Sequence, residues 1–320
     1  TDISRGNTGG RHWVIESMAG EQIEGFGDGG NVFRCRTDGT QLEQVATGFW
    51  NPFDIKFTAT GRLMVTDNDP DSRGPNRLLE IVPGGDYGYQ SLYGGSGVHP
   101  YLAWNGELPG TLPFAAPLGE APCAFLDATF TNFGVSYQGQ ILANIWEENN
   151  IVRIPLQPRG STVTGSPEVL VQGDSTFHPV ALVANSRGEL YITDWVVREY
   201  PNHGHGKIWR LSSRDKGRNA LPAKEEMVNR FESPSVDWNE TLRLLKTGDA
   251  FDKAIVRHHL PKDSLLQMLQ RSDASVKLQA LLAFLKTDIT IDRSLLATLL
   301  LDENEAIRRM SMIYIGKHFR

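Results

Sequence analysis

The segment Asn51-Pro-Phe-Asp-Ile-Lys-Phe-Thr-Ala-Thr-Gly-Arg-Leu-Met-Val-Thr-Asp67 returns later in the chain as His178-Pro-Val-Ala-Leu-Val-Ala-Asn-Ser-Arg-Gly-Glu-Leu-Tyr-Ile-Thr-Asp194. Proline, glycine and the final Thr-Asp pair stand at the same offsets in both copies. This pattern reads as a β-hairpin. The proline opens a strand whose first N–H needs no partner. The glycine closes a tight turn at positive φ. The second strand, up to Thr66 or Thr193, alternates inward and outward residues.

A third strand follows each copy, Asn76-Arg-Leu-Leu-Glu-Ile81 and Gly206-Lys-Ile-Trp-Arg-Leu211. The same closing strand is visible in Asn31-Val-Phe-Arg-Cys-Arg36 and Asn150-Ile-Val-Arg-Ile154. Four closing strands predict about four blades of a six-bladed β-propeller, the first of them partial. A propeller removes exposed sheet edges only by closing on itself. The incomplete ring predicts that residues 1–320 are a piece or a processed form of a longer chain.

The pattern changes after residue 212. Residues 213–224 are polar and end in Leu-Pro-Ala-Lys, which reads as a linker. From 225 to 320 glycine becomes scarce and apolar residues recur every three to four positions. Stretches starting at Asp249, Asp273 and Asn304 can be superimposed, each with a cap-type residue before a helical pattern. These predict helix pairs stacked as a HEAT-like array. The expected organisation is therefore a partial all-β propeller over 1–212, a linker, and an all-α repeat domain over 225–320.

The totals narrow the function. The net charge is −6 and no basic run is present, which argues against nucleic acid as the main partner. No stretch is apolar enough to span a bilayer. The two cysteines, Cys35 and Cys123, lie outside any CxxC pattern, so zinc and covalent haem are not expected within the chain. They leave open either a disulfide or two half-buried core thiols.

In a propeller, the residue before each strand-opening proline faces the mouth of the central channel. Those residues are Asn51, His178 and, third, Ala121. An amide and an imidazole at one polar funnel form a candidate binding or acid–base pair, because histidine titrates near neutral pH. The alternative is that both cap the strand entrance. Asp67-Asn-Asp-Pro-Asp71 clusters oxygen donors suited to a hard cation, with Asp67, Asp69, Pro70 and Asp71 as candidate ligands. It reads equally as an Asx-rich turn. Asp194-Trp195 with His203 and His205 forms a third candidate, for a metal or an anion. Tyr87-Gly-Tyr89 reads as structural packing, and His258-His259 as a solvated helix face.

As a set, Asn51-Pro52, Gly61-Arg-Leu63, Thr66-Asp67, Asp69-Pro70, Asn76-to-Ile81 and Gly84-Gly-Asp-Tyr-Gly-Tyr89 resemble the soluble glucose/sorbosone dehydrogenase family. That family consists of six-bladed propellers that bind pyrroloquinoline quinone (PQQ) and calcium. The closing run Pro201-Asn-His-Gly-His-Gly-Lys-Ile-Trp-Arg210 resembles a branch of large planctomycete and verrucomicrobial proteins described as membrane-bound dehydrogenases. In that branch HEAT-like repeats and often a cytochrome c-type haem domain follow the propeller.

The resemblance implies an exported or periplasmic oxidoreductase acting on a sugar or a related alcohol or aldehyde, with electrons passing to a haem domain outside this chain. It implies catalytic roles for Asn51 and His178, cofactor contacts from Trp50, Asn51, His178, Asp194, His203 and His205, and calcium at Asp67, Asp69, Pro70 and Asp71. The sequence departs from the pattern where Trp50 stands in place of an arginine. Thr176 and His178 stand near the positions of two more. The alternative reading is a non-catalytic propeller that binds carbohydrate or protein, with the helical array as a docking surface.

Overall fold

The computed structural model describes residues 12–26, 29–70, 73–89, 103–199, 201–213, 228–232, 237–271, 273–287 and 289–319. Among these residues the chain forms five β-sheets followed by six helices. β1 (His12–Glu16) and β2 (Gln22–Phe26) form a separate hairpin. β3 (Gly30–Arg34) pairs with β4 (Glu43–Phe49), which takes β8 (Gly85–Asp86) in parallel. The next sheet runs β5 (Asn51–Phe57), β6 (Leu63–Asn68), β7 (Asn76–Ile81) and β9 (Ala116–Leu118). The fourth is built on β10 (Pro122–Asp127), β11 (Gln140–Ile145) and the long β12 (Asn150–Arg159). β12 pairs at one end with β14 (Glu168–Gln172) and at the other with β13 (Thr162–Gly165). The last sheet is β15 (Pro179–Ala184), β16 (Leu190–Asp194) and β17 (Lys207–Leu211).

Both copies of the repeated segment are hairpins, β5–β6 and β15–β16. Gly61 and Gly188 sit at their turns with φ of 82° and 76°, a region that costs other residues about 1–2 kcal/mol. The predicted closing strands at 76, 150 and 206 are the third strands of their sheets. The one predicted at Asn31 differs: β3 leads its sheet, and among the described residues no strand pair precedes it there.

The first strands of successive sheets lie side by side and run the same way. Thr66 in β6 donates to the Cys123 carbonyl at 2.7 Å, the Phe125 N–H donates to Asp54 at 3.0 Å, and the Ala59 N–H donates to Asp127 at 2.9 Å. β10 thus advances from start to end alongside β5. Between β10 and β15 the start is marked by Trp146, whose N–H donates to the Ala121 carbonyl while its ring meets His178. The end is marked by the Asn132 N–H, which donates to the Gly188 carbonyl at 2.8 Å. The three strand starts therefore share one end of the stack. Leu142, Ile151, Leu182 and Ile192 fill the space between the last two sheets, each contributing about 1.5–3 kcal/mol by burial.

The helices are α1 (Trp238–Thr247), α2 (Ala250–His258), α3 (Lys262–Leu269), α4 (Ala274–Phe284), α5 (Arg293–Leu300) and α6 (Glu305–His318). Asp249, Asp273 and Asn304 cap α2, α4 and α6, accepting backbone N–H groups that the helix leaves unpaired. α4 packs against both α2 and α6, so these three helices lie together around a core of leucines with Phe284 and Tyr314.

The helices dock on the end of the stack opposite the strand starts. The Val228 N–H donates to Thr60 in the β5–β6 turn, and Phe231 packs edge-on against Phe57. Asp249 accepts from the Ser161 N–H and hydroxyl in the β12–β13 turn at 2.7 and 2.9 Å. Phe251, Ala254 and Ile255 of α2 join the apolar core shared by the β3 and β5 sheets. Gly84 makes this approach possible, because a Cβ there would lie 2.8 Å from the Ala254 carbonyl oxygen. Beneath the seam, buried Glu80 holds Arg62 at 2.5 Å and the Thr162 hydroxyl at 2.7 Å.

Cys35 is exposed and Cys123 buried, and both are free thiols. The expectation of two half-buried thiols describes neither well, since Cys35 lies just past the end of β3 at the surface. Burial pushes the Cys123 thiol up to about 12.

Candidate functional site

A proline that opens a strand forces the residue before it into an extended conformation and supplies no N–H of its own. The preceding residue's N–H then needs an acceptor, and in both repeats the second-strand aspartate provides it. Asp67 Oδ1 accepts from the Asn51 N–H at 3.0 Å, and Asp194 Oδ1 accepts from the His178 N–H at 2.8 Å. The other oxygen of each reaches its third strand. Asp67 Oδ2 takes two bonds from Arg77 at 2.6 and 3.2 Å, and Asp194 Oδ2 takes the Trp209 indole N–H at 2.7 Å. The aspartates thus fasten the strand starts on which Asn51 and His178 stand.

His178 is 3% exposed and its ring lies 4.7 Å from that of Trp146. Its Nδ1 is 3.1 Å from the Val196 carbonyl oxygen. A carbonyl only accepts, so Nδ1 carries a hydrogen, and in the neutral ring Nε2 is then the acceptor. Asn51 is half-buried, with its carbonyl taking a bond from the Asn68 amide at 3.2 Å. A polar chain joins the strand starts. The Asp69 N–H donates to Asn76, the Asn76 amide donates to Glu120 beside Ala121, and the Glu120 N–H donates to Glu148. Trp50 borders this end, edge-on to Tyr89 at 4.8 Å.

The charges at this end are mainly negative. Glu120, Glu147 and Glu148 lie here, and Arg198 is paired with Glu147. Arg77 is sealed below at 0% exposure, where it donates to Asp67 and to the Tyr87 and Trp104 carbonyls and lies 3.3 Å from the Trp104 ring centre. Burial pushes Asp67 up and Arg77 down, and their mutual attraction opposes both shifts. PQQ carries three carboxylates, each calling for a charge-assisted donor. Among the described residues of this end Arg73 and Arg198 are already paired with Glu107 and Glu147, and Lys207 opposite Asp194 is too little for three carboxylates, so these residues do not fit that group.

The other predicted ligands fall as follows. Asp67 has both oxygens committed within the sheet. Asp69 is half-buried, Pro70 is buried, and Asp71 lies outside the described residues. Among the described residues no three His, Cys, Asp or Glu side chains converge as a metal-holding group. Asp194 has both oxygens engaged by Trp209, His178 and Val196. His203 and His205 stack 5.6 Å apart, and the His205 N–H donates to His203 Nδ1 at 3.0 Å. This loop bonds to its own backbone and packs His203 edge-on against Trp195 at 4.8 Å.

Three residues that matter most at this end escaped the sequence reading. Arg77 and Trp104 hold the β5 start through Asp67, and Trp146 bridges Ala121 and His178. The only signal for Arg77 was a charge inside the apolar run Asn76–Ile81. Trp104 carried none, and Trp146 was marked only as standing near the position of a lysine in the resembled family.

No known family profile matches the sequence, and no curated protein matches it. Several solved structures are similar over part of their length. One is a glucose dehydrogenase, at 17% identity with a TM-score of 0.44, covering 65% of this chain and 64% of that one. Another is the PQQ-bound form of an aldose sugar dehydrogenase from Streptomyces coelicolor, at 16% identity with a TM-score of 0.42, covering 64% of this chain and 61% of that one. A third is the apo form of a soluble aldose sugar dehydrogenase from Escherichia coli, at 17% identity with a TM-score of 0.37, covering 50% of this chain and 46% of that one. This chain spans between 46% and 64% of the length of these three structures.

Proposed function

We propose that this chain is the substrate-binding part of a sugar-acting oxidoreductase of the PQQ sugar-dehydrogenase type. Its sheets are read as consecutive propeller blades and its helices as three HEAT-like pairs. The observation that carries the reading is the clamping of Asn51 and His178 by equivalent aspartates at the same end of the two sheets that flank the β10 sheet. His178 Nε2, set as an acceptor by the Val196 carbonyl, would take the proton of a sugar hydroxyl. The Asn51 amide would hold a neighbouring hydroxyl. Trp50 and Trp146 supply the apolar faces on which a sugar ring rests. The helices, at the opposite end, leave the mouth open and are available to a protein or cytochrome partner. Export follows from the same resemblance.

The acidic rim favours a second reading, in which the sheets bind carbohydrate without oxidising it. One experiment separates the two. The purified chain, and the longest natural form that contains it, are titrated with a panel of aldoses by calorimetry. Dye reduction is then followed with PQQ and calcium added. Sugar binding that His178→Ala abolishes, together with dye reduction, supports the first reading. The same binding without reduction supports the second. Absence of binding to every sugar overturns both.

A further inference from the structure

A groove of about 490 Å³ runs between the outer strands of the last two sheets, with β14 on one side and β17 on the other. Its apolar wall includes Val171, Ile192 and Leu211, with Phe177 and Trp209 beside them. Its polar groups are Asp174, Thr176, Lys207 and Arg210. The volume falls within the roughly 300–1,000 Å³ of small-molecule sites. The groove follows β17 from Lys207, which pairs with Asp194, to Leu211, which pairs with Leu190. That length of strand covers about 13 Å, longer than a single sugar ring. Neither Asn51 nor His178 lines it.

Trp209 gives the groove its built character. Its indole N–H is fixed by Asp194 Oδ2 at 2.7 Å, and Phe177 meets its ring edge-on at 6.4 Å. Held in one orientation, the ring is still 45% exposed. A rigid apolar ring half in solvent loses little freedom when a ligand stacks on it. The Lys207 ammonium stands 5.5 Å from the ring centre, and Asp174 lies within its field. Among the described residues these two opposite charges do not close into an ion pair. Asp174 Oδ1 is taken by the Thr176 N–H and hydroxyl at 2.8 and 2.7 Å. Oδ2 is left as an acceptor and Lys207 as a donor. Arg210 lies 3.6 Å from Glu189, so the groove carries no excess charge that calls for an ion.

An apolar platform bordered by one donor and one acceptor matches a sugar ring. The ring presents C–H bonds on its face and adjacent hydroxyls at its edge, one donating while the other accepts. β17 ends its sheet among the described residues, and the charges of Lys207 and Arg210 on it discourage the addition of another strand. We infer that this groove binds a neutral oligosaccharide, with one ring stacked on Trp209 and a pair of adjacent hydroxyls between Lys207 and Asp174. It is a second carbohydrate site, apart from the one proposed at the strand starts, and it stands whether or not sugar is oxidised there.

The test is calorimetric titration with maltotriose, cellotriose and xylotriose, on the wild-type chain and on His178→Ala. The second protein lacks the site proposed at the strand starts, so the two sites are read apart. Lys207→Met and Asp174→Asn are added to the His178→Ala chain, with the distant Lys246→Met as control. Lys207 and Asp174 are exposed, and Asp174→Asn keeps the oxygen that holds Thr176, so the fold is preserved. Trp209 is left unchanged because it also holds Asp194. One trisaccharide per chain is expected in His178→Ala. Each groove variant should weaken it about tenfold or more, the loss of one charge-assisted bond, while Lys246→Met changes nothing. Binding with that dependence supports the groove site. Binding that His178→Ala abolishes belongs to the strand starts and overturns it. Equal binding in all variants, or no binding heat up to about 10 mM of each trisaccharide, overturns it as well.

Discussion

The carboxylate of Asp194 accepts the backbone N–H of His178 at 2.8 Å, so a residue on the second strand fixes where the first strand begins. It also accepts from the Val196 N–H at 2.8 Å and the Trp209 indole at 2.7 Å. One carboxylate thus sets the backbone of His178, the carbonyl that selects its tautomer and the third strand.

Asp194→Ala leaves those three donors without their acceptor. A loss of about 3 kcal/mol or more is expected by urea denaturation. Asp194→Asn keeps one oxygen and should cost less. Sugar affinity in Asp194→Asn should fall along with that of His178→Ala. Unchanged stability in Asp194→Ala would show that the clamp contributes nothing.

Asp67 and Arg77 are both fully buried and paired at 2.6 Å. Removing either partner strands a charge, so Asp67→Asn and Arg77→Met should each cost about 3–5 kcal/mol. The double variant should lose less than the sum of the two. A double-mutant cycle by denaturation measures the coupling, and additive losses would contradict a direct pair.

Gly84 has φ of 72°, and an added Cβ would meet the Ala254 carbonyl oxygen at 2.8 Å. Gly84→Ala should therefore cost about 2 kcal/mol or more, combining backbone strain with a clash across the seam. Hydrogen exchange should rise first in α2, where the helices leave the sheets. Uniform acceleration across the β-sheets instead would place the damage elsewhere.

His258 is held near a pKa of about 4, chiefly by burial and then by neighbouring cations. Its unfolded value is about 6.5. Between these values the unfolded chain binds the extra proton, so stability rises with pH across pH 4 to 6.5 and is flat from this group outside that window. The ring keeps an open edge to solvent. The contribution, discounted for screening, is about 1 kcal/mol. Thermal melts of the wild type and His258→Gln across that window should show a shallower slope in the variant. Parallel slopes would contradict it.

Both hairpins were legible because proline, glycine and β-branched alternation are local constraints, satisfied or broken within a dozen residues. The helix starts at Asp249, Asp273 and Asn304 were legible for the same reason, since a cap bonds only its own first turn. The β3 strand was recognised but its place was not, because rank within a sheet depends on partners distant in sequence. The role of the acidic cluster was not legible, because a carboxylate looks alike in sequence whether it faces a cation from solvent or, as Asp67 does, an arginine from the next strand.

Local chemistry by itself determined the turn-bounded strands, the shift from β to α after residue 212, and which residues precede the strand-opening prolines. Only the tertiary structure decided that Asp67 and Asp194 are fasteners, that Trp146 joins Ala121 to His178, and that the helices sit at the end away from the strand starts. Each of these depends on contacts between segments tens of residues apart. Such contacts are selected by burial and hydrogen-bond satisfaction across the whole stack, and no local stretch records them.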